Sequence, residues 1–314
     1  MGYSVALLYD ERSPLALTRC SHVSQILSSY GHTSQTVPLN STFAPDILKN
    51  SFDVCLLADT GCFSLTEDVQ TLLESLNISY IGSPSETVRF THDVREIHNV
   101  LNNLELARES TVLGLHGMYI SASGFNGLGV CDSTEAISAQ IPGGYPIVIC
   151  PVKPYDSNRA SLVHSDDEFK NALKEYAEEG IDTFVHASYE GIFVSVGAVE
   201  YDGDIDILPP LIQTVDQNDK SVSYTLAKAS DLDPDPEEAS LARSSLERAA
   251  RELYDICGCR DYVLFNLLWD GARVRLVSVD CTPTLGADSP LLLACTQAGI
   301  SFADLLDTYV SEYA

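Results

Sequence analysis

The N-terminal quarter of the chain alternates short apolar runs with amphipathic segments, and this alternation constrains the fold more than any other feature. Residues 3–9, 52–57 and 79–81 have the apolar, β-rich character of buried strands. Between them, apolar residues recur at helical spacing; Gly31 ends the first such segment and Thr66 caps the second. Strands that alternate with helices are typical of a parallel sheet covered by helices. The pattern therefore predicts an N-terminal parallel α/β lobe.

The rest of the chain has a different pattern, which predicts two further lobes. Residues 145–150 read as a strand, and residues 262–269 and 273–279 as a hairpin. Residues 117–131 are rich in Gly and Ser, and we expect a flexible connection rather than a phosphate loop. The polar, acidic residues 214–240 predict a long surface loop.

The predicted lobes have boundaries near residues 90 and 180. We expect an N-terminal lobe over residues 1–90, a central lobe over 91–180 and a C-terminal lobe over 181–314. The fold class is α/β or α+β. His92 and His98 are expected to be polar residues at the surface or between lobes, and Trp269 a packing residue.

The charge balance excludes one large class of partner. The chain has 18 Lys and Arg against 45 Asp and Glu, a net charge of −27. Nucleic-acid binding depends on Lys and Arg that neutralise phosphates, so we expect no nucleic-acid partner. An acidic surface for solubility or salt adaptation is the plain interpretation, and attraction of a basic partner is the alternative.

The apolar segments and cysteines indicate a cytoplasmic protein. No run of about 18 apolar residues predicts a membrane span, and the start lacks the basic region of a secretory signal. The nine cysteines are scattered, and several lie in apolar runs, which favours reduced thiols in cores. Cys257-Gly258-Cys259 is a weak indication of a metal or redox site.

Short strings that follow one another in a fixed order run through the whole chain. They are Phe52-Asp53-Val54 before Gly61, Gln70-x-Leu72-Leu73-Glu74, Ile78-x-Tyr80-x-Gly82-Ser83, Tyr145-Pro146-Ile147-Val148-Ile149-x-Pro151, Glu190-Gly191, Leu208-Pro209-Pro210, Ala227-Lys228, Cys259-Arg260-x-Tyr262, Pro283 and Ala298-Gly299-Ile300-Ser301-Phe302. Their order and spacing resemble the D-alanine–D-alanine ligases of the ATP-grasp superfamily. The resemblance implies a three-lobed ATP-grasp fold. It also implies a role in cell-wall peptidoglycan synthesis and a homodimer formed largely through the first lobe.

The resemblance also implies a chemistry that this sequence is poorly equipped to perform. Such ligases phosphorylate a carboxylate with ATP and let an amine attack the acyl phosphate, which needs cations for phosphates and carboxylates for magnesium. Other residues stand at the positions that match the family's functional groups. They are Val94 and Cys150 for the nucleotide lysines, Tyr155 for the phosphate-loop glycine, His186 and Ala187 for the adenine-side acidic pair, Asn266, Ser278 and Asp280 for the metal ligands, Leu15 for the amino-group glutamate, Thr60 for the histidine and Leu264 for the arginine.

A few matching residues remain, and they form the candidate site. Ser13 and Ser157 are candidate catalytic remnants, Lys153 and Lys228 candidate ATP-binding residues, and Asp280 and Asn266 candidate metal ligands, with Ser289 as a further survivor.

Three functions are open at this point. The first is a pseudoenzyme that keeps the fold for binding or interaction, with an amino acid or a nucleotide as ligand. The second is an active ATP-dependent ligase, using ATP and Mg²⁺ through relocated groups. The third is a small-molecule or metal-binding protein that uses Cys150, His186 and Cys281.

Overall fold

The computed structural model describes residues 2–60, 66–103, 110–127, 134–152, 159–215 and 222–314. These residues form three sheets, of four, seven and four strands. Among them, no helix is long and apolar enough to cross a membrane.

The N-terminal sheet is parallel, with strand order β2-β1-β3-β4. Its elements are β1 (Ser4–Tyr9), α1 (Ala16–Ser29), β2 (Thr33–Pro38), α2 (Phe43–Asn50), β3 (Val54–Asp59), α3 (Thr66–Ser75) and β4 (Tyr80–Ile81). The predicted parallel α/β lobe is confirmed. The sequence pattern missed β2 and α2, because β2 is an edge strand with most of its side chains facing solvent and so lacks an apolar run.

Two helices and one short strand connect this sheet to the rest of the chain. They are α4 (Ser85–His92), α5 (Val94–Leu101) and β5 (Val112–Leu113). Val88, Ile97 and Val112 pack into the core of the C-terminal sheet, and β5 pairs with its last strand. The segment thereby fastens the end of the N-terminal lobe to the C-terminal core.

The central sheet is antiparallel, with strand order β6-β9-β7-β8. Its elements are β6 (Gly117–Ile120), α6 (Ala122–Gly127), α7 (Thr134–Ser138), β7 (Ile147–Pro151), β8 (Ser161–Val163), α8 (Asp166–Glu178) and β9 (Thr183–Ala187). The prediction of a flexible connection at 117–131 was wrong for residues 117–127. There β6 pairs with β9, and α6 follows it. Gly117 is required for this pairing, since a Cβ would lie 2.3 Å from the Val185 carbonyl oxygen.

The C-terminal sheet is the largest, with β11 beside β10 and strand order β13-β12-β10-β14-β15-β5. Its elements are β10 (Ile192–Tyr201), β11 (Asp204–Ile207), β12 (Leu211–Val215), β13 (Val222–Leu226), α9 (Ala229–Leu232), α10 (Pro236–Cys257), β14 (Tyr262–Trp269), β15 (Val274–Asp280), α11 (Pro290–Ala298) and α12 (Phe302–Tyr313). The predicted hairpin is β14–β15, and Trp269 packs in the core as expected. The predicted loop over 214–240 was wrong in part, because β13 and α9 form within it and α10 already begins at Pro236.

The cysteines that the structure describes are buried in these cores. All seven are free of disulfide bonds; Cys62 and Cys131 lie outside the described residues. Burial raises the pKa of the Cys20 and Cys55 thiols to about 12. The described cysteines are therefore buried packing residues, as the sequence predicted.

A compact polar joint connects the N-terminal sheet to the C-terminal sheet. Asp261, buried and at a positive φ of 63°, accepts hydrogen bonds from the Gly82 backbone N–H (2.6 Å) and the Tyr313 hydroxyl (2.8 Å). Arg260 Nε donates to the Gly82 carbonyl oxygen at 2.9 Å. The Arg260 guanidinium also lies over the Tyr80 and Tyr313 rings, 5.1 and 5.0 Å from their centroids. Side chains and backbone of both lobes thus converge on two neighbouring residues.

The described histidines of α4 and α5 are buried rather than exposed. His92 and His98 are 6% and 1% exposed, so the surface placement was wrong. His98 stacks on Phe184 of β9 and accepts a hydrogen bond from the Leu115 backbone N–H at its Nδ1 (3.2 Å). Burial, with His186 and His116 nearby, lowers the pKa of His98 to about 3. His98 is therefore neutral and joins α5 to the central sheet.

We predict that removing the Arg260 side chain weakens the joint. Arg260→Ala should lower the free energy of unfolding by about 1–3 kcal/mol, since it loses a cation–π pair and hydrogen bonds to Gly82 and Tyr80. Arg251→Ala is the matched control, because Arg251 is exposed and its side chain makes one hydrogen bond to a backbone carbonyl. Urea unfolding of both variants tests this; equal losses would contradict a special role for Arg260.

We also predict that His98 makes the fold acid-sensitive. Because its pKa is about 3 in the fold and about 6.5 in the unfolded chain, its stabilisation is complete above about pH 6.5 and is lost as pH falls toward 3. The loss should reach about 2 kcal/mol near pH 5. His98→Asn keeps an acceptor for Leu115. Its free energy of unfolding should change less between about pH 7.5 and pH 5 than that of the wild type; an equal change would refute the assignment.

Candidate functional site

A cavity of about 330 Å³ lies between the central and C-terminal sheets. Strands of both sheets line it, and so do the segments that connect them. The lining residues are Leu115, Val148, Ala160, Leu162, His186, Ser188, Tyr189, Phe193, Gln213, Val222, Asn266, Leu268, Val277 and Ser278. None of these described residues carries a formal charge at neutral pH. The cavity is therefore an apolar cleft with a few neutral polar groups.

Four neutral side chains on neighbouring strands form a hydrogen-bonded row across one wall of this cavity. Ser195 Oγ and Gln213 Nε2 both donate to Asn266 Oδ1, at 2.8 and 2.6 Å. Gln213 Nε2 also donates to Ser195 Oγ at 2.6 Å, and Asn266 Nδ2 donates to Ser278 Oγ at 2.9 Å. Strand pairing sets the row, because Ser195 faces Asn266 and Asn266 faces Ser278 in register. Both lone pairs of the Asn266 carboxamide oxygen are thus occupied.

The two predicted metal ligands have different hydrogen-bond partners among the described residues, and their assignment to a metal ion stays a prediction. Asn266 belongs to the row, whereas Asp280 at the end of β15 accepts a hydrogen bond from the Thr282 backbone N–H at 3.0 Å. Burial raises the pKa of Asp280 to about 6, and its partner in register is Leu264. Over the described parts of the chain, no group of three or more His, Cys, Asp or Glu could hold a metal ion.

Of the two predicted nucleotide-binding cations, Lys228 is described by the structure, and it is not among the described residues that line the cavity. Lys228 is exposed just after β13, and its backbone N–H donates to the Asp231 carboxylate at 2.8 Å. Lys153 and the predicted catalytic remnant Ser157 lie outside the described residues. Their assignment to phosphate and substrate stays a prediction. Ser289 caps α11, since its Oγ accepts a hydrogen bond from the Leu291 backbone N–H.

A second polar cluster joins the N-terminal lobe to the loop after β15. Arg19 Nη1 donates to Asp59 Oδ2 at 2.8 Å, and Arg19 Nη2 donates to Asp288 Oδ2 at 2.6 Å. Ser13 Oγ donates to the same Asp59 oxygen at 2.9 Å. Hydrogen bonds and charge attraction from Asp288 and Asp59 raise the pKa of Arg19. The predicted catalytic remnant Ser13 is therefore held by a buried carboxylate.

The packing around this cluster is close. Asp59 is fully buried, and a Cβ on Gly286 would lie 2.4 Å from Arg19 Cγ. Sequence reasoning missed Arg19, Asp59 and Asp288. Asp59 could have been found, because it ends a buried parallel strand, where functional side chains of α/β sheets gather. Arg19 and Asp288 carry no such signal, since only the fold brings them together.

The structure does not bring the third candidate set together. Cys150 packs with Val94 and Leu115, whereas Cys281 lies in the C-terminal core with Thr91 Oγ1 3.4 Å from its Sγ. Burial raises the pKa of the Cys150 thiol to about 12. Of the three residues, His186 alone lines the described cavity. A metal site made of these thiols is therefore not supported.

His186 presents one ring nitrogen without a partner among the described residues. Its Nδ1 lies 2.8 Å from the Ala187 carbonyl oxygen, and its Nε2 is buried and has no hydrogen bond there. A carbonyl oxygen only accepts, so Nδ1 carries the hydrogen and Nε2 is an acceptor. Burial lowers the pKa of His186 to about 4, which keeps the ring neutral at pH 7.

Comparison with known proteins connects this architecture to one family. No protein-family profile matches the chain. The D-alanine–D-alanine ligase of Thermotoga petrophila is 22% identical over 306 residues, which cover 93% of this chain and 90% of that protein. The D-alanine–D-alanine ligase of Bacillus anthracis, solved in complex with ATP, superposes with a TM-score of 0.74 at 18% identity, covering 99% of this chain and 97% of its own.

A further structure, D-alanyl-alanine synthetase A of Vibrio cholerae, superposes with a TM-score of 0.81 at 14% identity, covering 99% of this chain and 98% of its own. These likenesses extend over all three sheets, as expected for the three-lobed ATP-grasp fold. Sequence similarity along nearly the whole chain accompanies the shared fold, and the chain is similar to the D-alanine–D-alanine ligases in both respects.

Proposed function

We propose that this D-alanine–D-alanine ligase-like protein is a pseudoenzyme, which keeps the ATP-grasp fold for binding or interaction and has lost the ligase centre. The observation that carries the proposal is the neutral row Ser195–Gln213–Asn266–Ser278. It occupies the strand positions at which the resemblance places two of the magnesium ligands, Asn266 and Ser278.

The row is a poor substitute for a magnesium site. Mg²⁺ binds to oxygens in near-octahedral geometry, gives up its water reluctantly and usually has one or two carboxylates. Asn266 offers a neutral oxygen that already accepts two hydrogen bonds. A metal ion would have to break both bonds and would gain no charge attraction from the row. Asp280 lies further along β15, with one backbone hydrogen bond and no described cation as a partner.

The cleft is equally unsuited to a triphosphate. No described residue that lines the cavity is cationic, and Lys228 is not among the lining residues. A triphosphate carries several negative charges, and the chain has a net charge of −27. Without a magnesium ion or lysines at the phosphates, the electrostatic interaction is repulsive, most strongly where water is excluded.

The cluster at the N-terminal lobe supports the same function. A ligase of this family must hold an amino acid there, with its carboxylate free to react. Arg19 is instead paired with Asp59 and Asp288, so the three groups together carry one net negative charge. A carboxylate substrate would be repelled and would find no unpaired cation among them. Both the nucleotide half and the amino-acid half of the site have therefore lost their complementary charges.

We predict that the protein neither binds magnesium-ATP nor consumes it. Calorimetric titration with ATP at millimolar concentration should give no heat that depends on MgCl₂, because the described lining of the cleft has no cation for phosphates and no carboxylate for a metal ion. An ADP-release assay with D-alanine should stay at the level of the buffer, whereas the Thermotoga petrophila ligase serves as a positive control.

Magnesium-dependent binding in the micromolar range, or release of ADP, would overturn the pseudoenzyme proposal. It would favour an active ligase with relocated groups. Lys228→Ala, Lys153→Ala and Asp280→Ala would then show which residues bind the phosphates and the metal ion.

We predict further that carboxylates placed in the row restore metal binding. Asn266→Asp with Ser278→Glu should lower the free energy of unfolding by about 2–3 kcal/mol, since two partly buried carboxylates repel each other. MgCl₂ or MnCl₂ should recover most of that loss, measured by thermal unfolding. Ser278→Gln alone has a similar size without charge and should not respond to metal. Equal stabilisation of the wild type by Mg²⁺ would contradict the prediction.

A further inference from the structure

The motif Cys257-Gly258-Cys259, whose sequence is a weak indication of a metal or redox site, has a third thiol beside it in the fold. Cys257 ends α10, Gly258 caps that helix in a left-handed conformation (φ 65°), and Cys259 follows. The hairpin β14–β15 brings the chain back, with Asp280 opposite Leu264, so that Cys281 packs in the same core. The fold therefore adds one thiol to the motif.

Cys259 is the central member of this thiol cluster, which consists of Cys257, Cys259 and Cys281. Its thiol forms hydrogen bonds with those of Cys257 and Cys281, and these bonds, together with burial, hold the pKa of Cys259 well above its ordinary value. None of the other four described cysteines has a thiol among the groups that raise its pKa. Contact between thiols is thus a property of this cluster.

Helix α4 holds the backbone of the cluster in place. Thr87 Oγ1 donates to the Gly258 carbonyl oxygen at 2.7 Å, and Thr91 Oγ1 lies 3.4 Å from Cys281 Sγ. Cys259 is 9% exposed, against 5% for Cys257 and 0% for Cys281. Cys259 is therefore the member that a small solute reaches first.

The cluster suits thiol oxidation better than metal binding. Over the described residues, no group of three or more His, Cys, Asp or Glu could hold a metal ion. Oxidation to a disulfide needs two sulfur atoms in contact and side chains that can turn toward each other, but no further ligand. Redox chemistry is thus the function of the motif that the geometry supports.

We propose that the thiol cluster is a redox-sensitive site at which a hydroperoxide converts Cys259 and Cys281 into a disulfide. The Cys259 sulfur attacks the peroxide, the O–O bond breaks, and an alcohol or water leaves while Cys259 becomes a sulfenic acid. The Cys281 sulfur then attacks the Cys259 sulfur, the S–O bond breaks, and water leaves. The two thiols lose two electrons and two protons, and the hydroperoxide is reduced.

Cys281 is the partner because Cys257 is constrained by the helix cap. The Gly258 and Cys259 backbone N–H groups donate to the Asp255 and Tyr254 carbonyl oxygens, at 3.2 and 3.0 Å. A bond between Cys257 and Cys259 would close a small ring through this cap and distort it. Cys281 lies at the end of a strand, where the chain enters a loop, and can move toward Cys259.

The disulfide would stabilise the joint between the lobes. Cys259 immediately precedes Arg260 and Asp261, so a bond to Cys281 ties the joint to the end of β15. A cross-link also restricts the unfolded chain. Only the small thiolate fraction of Cys259 reacts, so the site responds to sustained oxidant. The inference is independent of the proposed function, since no member of the cluster lines the cavity.

Peptide mapping locates the bond. The full chain is treated with hydrogen peroxide, the remaining thiols are alkylated under denaturing conditions, and the peptides are identified by mass spectrometry. We expect a Cys259–Cys281 peptide pair that dithiothreitol separates. The midpoint of thermal unfolding should rise by about 5 °C on oxidation and return on reduction.

Three variants test the assignment. Cys259→Ser removes the central thiol and should abolish both the peptide pair and the rise in midpoint. Cys295→Ser is the matched control, because Cys295 is also buried but has no thiol neighbour among the groups that shift its pKa. It should keep both responses, and so should Cys257→Ala.

The map of the wild-type protein decides the outcome, so misfolding of a variant does not protect the inference. Cys259 and Cys281 that both stay free after peroxide treatment overturn it, and so does a disulfide that joins either residue to another cysteine. Neither result depends on ATP binding, so the pseudoenzyme proposal stands or fails separately.

Discussion

The joint at Arg260 and Asp261 determines how the lobes of this protein meet. A buried carboxylate accepts hydrogen bonds from the backbone of Gly82 and from Tyr313, and the neighbouring guanidinium lies over two aromatic rings. Asp261 adopts a left-handed backbone conformation to do so, which Asp tolerates better than most residues. With the N-terminal sheet held in this way, Arg19 comes within reach of Asp288, and the loop after β15 closes against α1.

Under the proposed function, the absence of metal ligands and the absence of phosphate ligands from the cleft would depend on each other. Without magnesium carboxylates, a triphosphate has nothing to neutralise it, and without phosphates, a lysine in the cleft would be a desolvated cation without a partner. A row of neutral side chains that satisfy one another avoids both costs. The same reasoning applies to Arg19, which is stable because two carboxylates compensate it. The fold therefore accommodates a cleft whose described lining residues carry no formal charge.

The elements with strong periodicity were the ones that could be predicted. The parallel strands β1, β3 and β4 and the hairpin β14–β15 all appear where the sequence indicated. The edge strand β2 and the strand β6 did not, because one is mostly exposed and the other begins with a glycine that only its neighbour β9 explains. His98 lies between lobes, one of its two expected places, but a histidine between apolar residues gives no sign of the Phe184 ring on which it stacks.

The sequence by itself determined the parallel α/β lobe, the hairpin β14–β15 and the resemblance to the D-alanine–D-alanine ligases. These follow from local periodicity and from residue identity. Only the tertiary structure decided that the Asn266 side-chain oxygen accepts hydrogen bonds from both Ser195 and Gln213. It also placed Arg19 between the carboxylates of Asp59 and Asp288. His186 Nε2 is buried and has no hydrogen-bond partner among the described residues. Those contacts join residues far apart in the chain, and spacing along a sequence carries no information about which distant side chain completes a hydrogen bond.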